Sequence, residues 1–469
     1  MTKQRQHQAT QEQDFSDVDR AALLAELACV LPQHALLSAP EELKAYECDA
    51  LSAYRQMPLA VVLAENEQQV IAVLQTCHRL GVPVVARGAG TGLSGGALPH
   101  PHGVLLSLAK MKKILHLDPV ARIAVVQPGV RNLAISEAAA IHGLYYAPDP
   151  SSQIACSIGG NVAENAGGLH CLKYGLTVHN VLRARVVTIS GEILELGNHA
   201  LDAAGLDLLA LAIGSEGLLA VVTEVSVKLT PKPEKAQLIL ASFRTVEAAA
   251  EAVAAIIAAG IIPAGLEMMD KQATAAVEPY VQAGYDLEAE AILLCESDGT
   301  IEEVAEEIDA MRAVLERCGA SSLRVSTSEA ERLKFWAGRK AAFPAVGRIS
   351  PDYYCMDGTI PKKRLAEMLK AIAAMEKKYQ LRCANVFHAG DGNLHPLIMY
   401  DAAIDGELQR TEAFGAEILE LSVRLGGTIT GEHGVGYEKI GAMCVQFSAD
   451  ELEAFHRIKA AFDPQGLLN

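Results

Sequence analysis

One stretch limits what this chain can fold into more than any other: Ser157-Ile158-Gly159-Gly160-Asn161-Val162-Ala163-Glu164-Asn165-Ala166-Gly167-Gly168. Two glycine pairs bracket Asn161 and Asn165. Each glycine loses more backbone freedom on folding than any other residue. A run this rich is expected where the main chain must approach a flat or charged ligand closely. A long turn with no ligand is the competing reading. Pro148-Asp149-Pro150-Ser151-Ser152, just upstream, belongs to the same glycine- and proline-shaped surface.

A second glycine-rich segment precedes it: Arg87-Gly88-Ala89-Gly90-Thr91-Gly92-Leu93-Ser94-Gly95-Gly96. Gly90 to Gly95 fit the GxGxxG pattern and follow a predicted strand, which suggests a dinucleotide fingerprint. In that fold the loop must open a helix whose N-terminus meets the pyrophosphate. Here Leu98-Pro99-His100-Pro101-His102-Gly103 and another strand follow, leaving no room for such a helix. Exposed backbone N–H groups could still hold phosphate. A flexible hairpin connection is the alternative.

At 469 residues the chain is long enough for two or three domains. Residues 1–55 read as a polar tail, an amphipathic helix over Val18 to Leu31 and a connecting segment. From Leu59 short strands alternate with glycine-rich turns: 59–64, 82–87, 103–108, 123–128 and 184–189. Helices are predicted over Glu67 to Leu80 and Val130 to His142. The mixture is α+β and not a regular βαβ succession. Thr230-Pro231-Lys232-Pro233-Glu234 is a proline-punctuated joint. Beyond it a strand (237–243), a helix (245–259), a strand (291–296), a helix (300–317) and a strand (322–326) predict a small sheet with helices on one face. The expected division is therefore 1–55, 56–233, 234–425 and a C-terminal segment, 426–469, with a final helix.

Net charge is −17, spread along the chain, which excludes nucleic acid as the expected partner and fits a soluble protein. None of the ten cysteines pairs at CxxC spacing, so they read as reduced cytosolic thiols with no iron–sulfur framework. Residues 1–14 lack the apolar core of a signal peptide. The longest apolar stretch, Ala252 to Leu266, is broken by Gly260 and Pro263 and is short for a membrane span. A cytoplasmic location, or attachment to a membrane only through partners, is expected.

The sharpest local signal is Asn385-Val386-Phe387-His388-Ala389-Gly390-Asp391-Gly392-Asn393-Leu394-His395-Pro396. Gly390 to Asn393 form a strong turn sequence, and folding there lets both imidazoles converge. A third ligand would come from Gly431-Glu432-His433-Gly434-Val435-Gly436. Two histidines, one glutamate and an open position suit a catalytic divalent metal. Histidines that merely satisfy polar contacts near turns are the competing reading.

Arg87 to Gly96, Pro148 to Ser152, Ile158 to Gly168 and Lys173-Tyr174-Gly175 resemble the flavin-binding domain of the vanillyl-alcohol oxidase (PCMH-type) superfamily, and the second half matches too. The resemblance implies FAD cradled between two α+β subdomains, followed by an α/β cap domain with a small antiparallel sheet and a C-terminal helical segment. The residues it assigns to the cofactor are Arg87, Gly88, Gly90, Thr91, Gly92, Gly95, Gly96, Pro148, Asp149 and Ser151, with Gly159, Gly160, Asn161, Asn165, Gly167, Gly168, Tyr174 and Gly175. Many relatives attach flavin to a histidine in the first loop; none stands there, so noncovalent FAD is expected.

Members that dehydrogenate D-2-hydroxy acids carry His388, His395 and Glu432 at positions that bind a divalent metal, expected here to be zinc, and His433 at the general-base position. Coordination can lower a bound group's pKa toward neutrality, and an imidazole can then take the substrate's hydroxyl proton while hydride passes to the flavin. Arg339 falls at a carboxylate-binding position, for which its fork is suited; an exposed helical arginine is the bland alternative, and Trp336 reads as core. Relatives acting on larger dicarboxylates carry a lysine near Cys355, absent from Tyr353-Tyr354-Cys355-Met356-Asp357, which favours a small monocarboxylate.

Tyr46-Glu47-Cys48-Asp49 through Pro58 resembles the corresponding segment of glycolate oxidase FAD-linked subunits. That implies glycolate as substrate and partner subunits, including an iron–sulfur subunit that accepts electrons. A stand-alone D-lactate or D-2-hydroxyglutarate dehydrogenase is the nearest rival, and a catalytically silent scaffold subunit a more distant one. The chain stops at Leu467-Leu468-Asn469, where relatives continue through a proline-glycine turn, so reduced order is expected there.

Overall fold

The computed structural model describes residues 14–200 and 205–469; the polar tail and the signal-peptide reading concern residues that lie, but for Asp14, outside the described ones. The first helix, Arg20–Val30, starts where Asp19 accepts the N–H groups of Ala21 and Ala22. It packs Leu23 and Leu27 against the helix Glu67–Leu80. The latter is capped by Asn66 and ended by Gly81 at φ +65°. Both helices cover a four-stranded sheet ordered Leu36–Leu37, Ala60–Leu63, Val104–Ser107, Val84–Arg87. Its last three strands are parallel. The first glycine-rich loop therefore links parallel neighbours, and it is not a hairpin.

A second, antiparallel sheet runs in the order Ile114–Asp118, Ile123–Val126, Val221–Lys228, Val181–Val187, Ile193–Gly197. The helix Ile158–Glu164 lies against Val221–Lys228. Part of the second glycine-rich segment, read from sequence as a loop, is thus helical. Ser157 accepts the Gly160 N–H at its start and Asn165, at φ +51°, stops it. Glycine is required at 159 because a Cβ there would lie 2.6 Å from Pro128 Cβ.

After the proline-rich joint the chain builds a seven-stranded sheet ordered Ser322–Val325, Lys235–Phe243, Ala291–Gly299, Gly265–Asp270, Arg382–His388, Asn393–Tyr400, Asp352–Cys355. Every pairing is antiparallel. The expectation of helices on one face does not hold. Ile239 and Ala241 face the helices Val246–Ala258, Ile301–Arg317, Leu365–Tyr379 and Glu407–Arg424. Leu238 and Leu240 face Lys271–Val281, Glu329–Lys340 and Ala342–Val346. A strand buried on both sides reads as a continuous apolar run, and 238–241 is one.

The end of the chain is more ordered than expected. Leu467 and Leu468 are buried, Leu468 forms a parallel bridge with Val84, and the Asn469 N–H donates to Val84 O at 2.8 Å. Among the described residues no helix is long and apolar enough to cross a membrane.

Candidate active site

A cavity of about 430 Å³ runs from the first glycine-rich loop, past the helix Ile158–Glu164, to His395, Glu432 and His433 on the side of the seven-stranded sheet. Of the residues assigned to the cofactor, Arg87, Gly88, Gly90, Thr91, Gly92 and Gly96 line it from the first loop, and Ser151, Gly159, Gly160 and Asn161 from the second. The two loops nearly touch, since a Cβ at Gly88 would fall 2.3 Å from Ser157 Oγ. Gly90, at φ +71°, turns the chain so closely around Arg87 that a Cβ would meet its Nη2 at 2.2 Å.

The remaining assigned residues stand behind that wall. Pro148 O accepts Asn132 Nδ2, and Asn165 Oδ1 accepts the Val178 N–H. Gly95 packs against Tyr437, Gly168 against the Asp149 backbone and Gly175 against His179. Gly167 lets the Glu432 loop come close: a Cβ there would lie 2.6 Å from Glu432 Oε2. Asp149 pairs with His170 at 2.7 Å and Tyr174 donates to Asp298 at 2.7 Å, both reaching toward the seven-stranded sheet.

The His388–His395 hairpin folds as its turn sequence suggests. His395 pairs across the ladder with Val386, two residues from His388, so both imidazoles project from one face. Ring nitrogens of His388 and His395 and a carboxylate oxygen of Glu432 all lie within 4.8 Å of one another. His395 Nε2 is 2.8 Å and His388 Nε2 3.4 Å from Glu432 Oε1. Each Nδ1 has its own partner, Glu267 Oε1 at 2.9 Å for His388 and Met356 O at 3.3 Å for His395. That is the outer-shell pattern which fixes ring orientation in histidine metal sites. The donor set and its orientation therefore fit a divalent cation.

His433 lies beside this cluster, its Nε2 3.5 Å from Glu432 Oε1 and its ring centroid 5.6 Å from that of His395. Burial acts to lower its pKa, but Glu432 and Asp357 raise it above the usual imidazole value. Its loop is clamped from three directions. Asp357 accepts the His433 N–H at 2.9 Å, Ser94 Oγ donates to His433 O at 2.5 Å, and Glu216 accepts the N–H groups of Val435 and Gly436, both at 2.7 Å. Burial works against the Asp357 charge, but Lys439 at 3.2 Å and nearby imidazoles hold its carboxyl down at about 2.

Arg339 is fully buried and does not line the cavity. Its Nε donates to Glu267 Oε2 at 2.7 Å, Nη2 sits 3.4 Å from His388, and Nη1 is buried without a partner. Trp336 is core, as expected. Sequence reasoning missed Glu267, Asp357, Glu216 and Lys439, which orient the site, and Asp49, Glu164, Lys340 and Phe343, which line it. No local pattern marks the first group, because each acts on a residue more than five positions away or in another element.

Residues 58–197 match the model of an FAD binding domain and residues 232–469 that of the C-terminal domain of FAD linked oxidases. The chain is 62% identical to the glycolate oxidase subunit GlcD of Escherichia coli (strain K12) over 453 residues, covering 97% of this chain and 91% of that protein. Identity to the glycolate oxidase subunit GlcD of Bacillus subtilis (strain 168) is 41%, with 90% of each chain covered. A D-lactate dehydrogenase of Anaerostipes hadrus is 33% identical, again over 90% of each. The fold is that of p-cresol methylhydroxylase, with TM-score 0.81 at 17% identity over 96% of this chain and 95% of that one. 4-Ethylphenol oxidase from Gulosibacter chungangensis gives 0.79 at 16% identity over the same shares. With both of its halves matched, and a cavity that joins its two glycine-rich loops to a histidine–glutamate cluster, the chain belongs to the FAD-linked oxidases.

Proposed function

We propose that the chain is the flavin-carrying catalytic subunit of an enzyme that oxidises a small D-2-hydroxy acid, glycolate to glyoxylate first among them. The observation that carries this reading is the continuity of one cavity from the cofactor loops to His395, Glu432 and His433. FAD, held noncovalently by the loop backbones, supplies the two-electron chemistry when bound. The glycines keep side chains out of its way, Ser157 caps the helix of the second loop, and Arg87 ties the first loop to Cys48 O. His388 Nε2, His395 Nε2 and the Glu432 carboxylate would hold a divalent cation, zinc by donor type, which would acidify a hydroxyl bound to it. His433 then takes the hydroxyl proton on Nε2, the ring nitrogen turned toward the cluster. Arg339 is committed to Glu267 through Nε and is buried outside the cavity lining, so the role expected for it, pairing with the substrate carboxylate, would require its partnerless Nη1 to become accessible from the cavity.

The relatives from Escherichia coli and Bacillus subtilis are named as subunits, which supports assembly with further chains. Electrons would leave for an iron–sulfur subunit, since no two of the ten cysteines stand at CxxC spacing. The same reading divides the chain into a lead-in segment (1–55), an FAD domain (56–233), a cap (234–425) and a segment returning to the flavin site (426–469), and places the protein in the cytoplasm, held at the inner membrane through its partners. A stand-alone D-lactate or D-2-hydroxyglutarate dehydrogenase is the second reading, favoured by the D-lactate dehydrogenase match.

Anaerobic bleaching of the flavin by glycolate, D-lactate, L-lactate and D-2-hydroxyglutarate tests these readings. Rapid bleaching by glycolate, slower by D-lactate and none by L-lactate is expected. Bleaching by D-lactate or D-2-hydroxyglutarate alone would transfer the assignment to the stand-alone enzyme.

A further inference from the structure

We infer that Phe343 forms the end wall of the substrate subsite and limits the acid to a short carbon chain. The inference rests on the hydroxy-acid reading above and adds what sets its size limit. The helix Glu329–Lys340 ends at Ala341, and a second short helix, Ala342–Val346, begins at once. Lys340, Phe343 and Pro344 line the cavity from this break, while Arg339 points into the protein toward Glu267. Ala342, Ala345 and Val346 are fully buried, so the backbone carrying Phe343 is pinned from the opposite side.

The Phe343 ring meets His395 edge-on at 6.2 Å between centroids and Tyr353 at 6.0 Å. Tyr353 and His395 both line the cavity as well. An apolar ring therefore stands directly against one imidazole of the proposed metal cluster. Carbons beyond C2 of an acid held at that cluster would meet the wall that Phe343 and Tyr353 form beside His395. The Phe343 side chain is half-buried and carries no polar atom, so its contribution to the site is shape. One methylene in an apolar pocket is worth about 10- to 200-fold in discrimination. A rigid ring at this place can thus separate two- and three-carbon acids from longer ones with no charged residue involved.

The test is a chain-length series on FAD-loaded protein, comparing wild type with Phe343→Ala and, as the more conservative change, Phe343→Leu. Flavin bleaching is followed with glycolate, D-lactate, D-2-hydroxybutyrate and D-2-hydroxyvalerate. Binding of the corresponding 2-oxo acids is read in parallel from flavin absorbance, which needs no turnover. In wild type both responses should fall steeply with each added carbon. In Phe343→Ala the ratio of the five-carbon to the two-carbon response should rise by about 10-fold or more, with Phe343→Leu between. An unchanged chain-length profile in both variants, with glycolate still bleaching and FAD content normal, overturns the inference and leaves the hydroxy-acid reading standing. A shifted 2-oxo-acid profile with no bleaching by any hydroxy acid keeps the size limit and removes the reaction. A wild type that neither bleaches with nor binds any of these acids removes both.

Discussion

His433 combines an imidazole raised above its usual pKa with a backbone held by Asp357, Ser94 and the neighbouring Glu216 clamp. Its side chain can be removed without loosening those backbone contacts. His433→Ala should therefore bind FAD normally while losing flavin reduction by about 100-fold or more, the scale of a general base. His388→Ala should instead lose bound metal together with turnover. Normal reduction in the first variant would remove His433 as base, and retained metal with undiminished turnover in the second would sink the metal assignment. Glu438 gives a separate prediction. Both its carboxylate oxygens are buried without partners, and burial pushes its pKa from 4.5 up to about 7. The folded chain then binds more protons than the unfolded chain between those values, so stability falls as pH rises through that window. Glu438→Gln should gain on wild type between pH 5 and pH 8 by about 1–3 kcal/mol. Equal chemical-denaturation midpoints at both pH values would refute this.

At the scale of one element, the hairpin that carries the two histidines depends on Gly392. Its φ is +88°, and a Cβ there would lie 2.2 Å from Ile360 O. Both the backbone conformation and the space exclude a side chain. Gly392→Ala should shift the turn, separate His388 from His395, and lower stability by about 1–3 kcal/mol. Metal content and melting temperature check it, and a variant that melts and binds metal like wild type would show that the turn tolerates the strain. Local sequence makes this element legible. The turn residues fix the fold-back, and the two-residue period of a strand then decides that His388 and His395 share a face. The helical part of the second glycine-rich segment was less legible, because glycine's poor helix propensity is overridden there by the Ser157 cap and by contact with Pro128.

Across the whole molecule, the flavin-side loops and the seven-stranded sheet meet at a buried charge network. His170 lies between Asp149 at 2.7 Å and Glu296 at 3.1 Å, and Glu296 also takes Arg332 at 2.7 Å and the Trp336 N–H. Burial opposes both charges, but His170 and Arg332 hold Glu296 down at about 2, and the two carboxylates raise His170 well above 6.5. The contribution of Glu296 is present above its unfolded pKa and lost as pH falls through about 2. That of His170 is present below 6.5 and lost as pH rises through its raised value. Removing one member of a buried pair costs about 3–5 kcal/mol. Glu296→Ala should therefore lower the melting temperature across pH 5–7 and loosen FAD, since Asp149 adjoins the cavity segment Pro150–Ser152. Unchanged melting and FAD affinity would show that the network is dispensable.

The sequence by itself determined the glycine loops, the histidine hairpin and the adjacent Glu432 and His433, because turn chemistry, backbone freedom and strand alternation are properties of neighbouring residues. Only the tertiary structure decided that Glu267 orients His388 and engages Arg339, that Glu216 and Asp357 hold the His433 loop from two different parts of the chain, and that the large sheet is covered on both faces. Those outcomes depend on which side chains meet across distant segments. A carboxylate far from its partner in sequence carries no mark of that partner until packing brings the two together and burial makes the pairing obligatory.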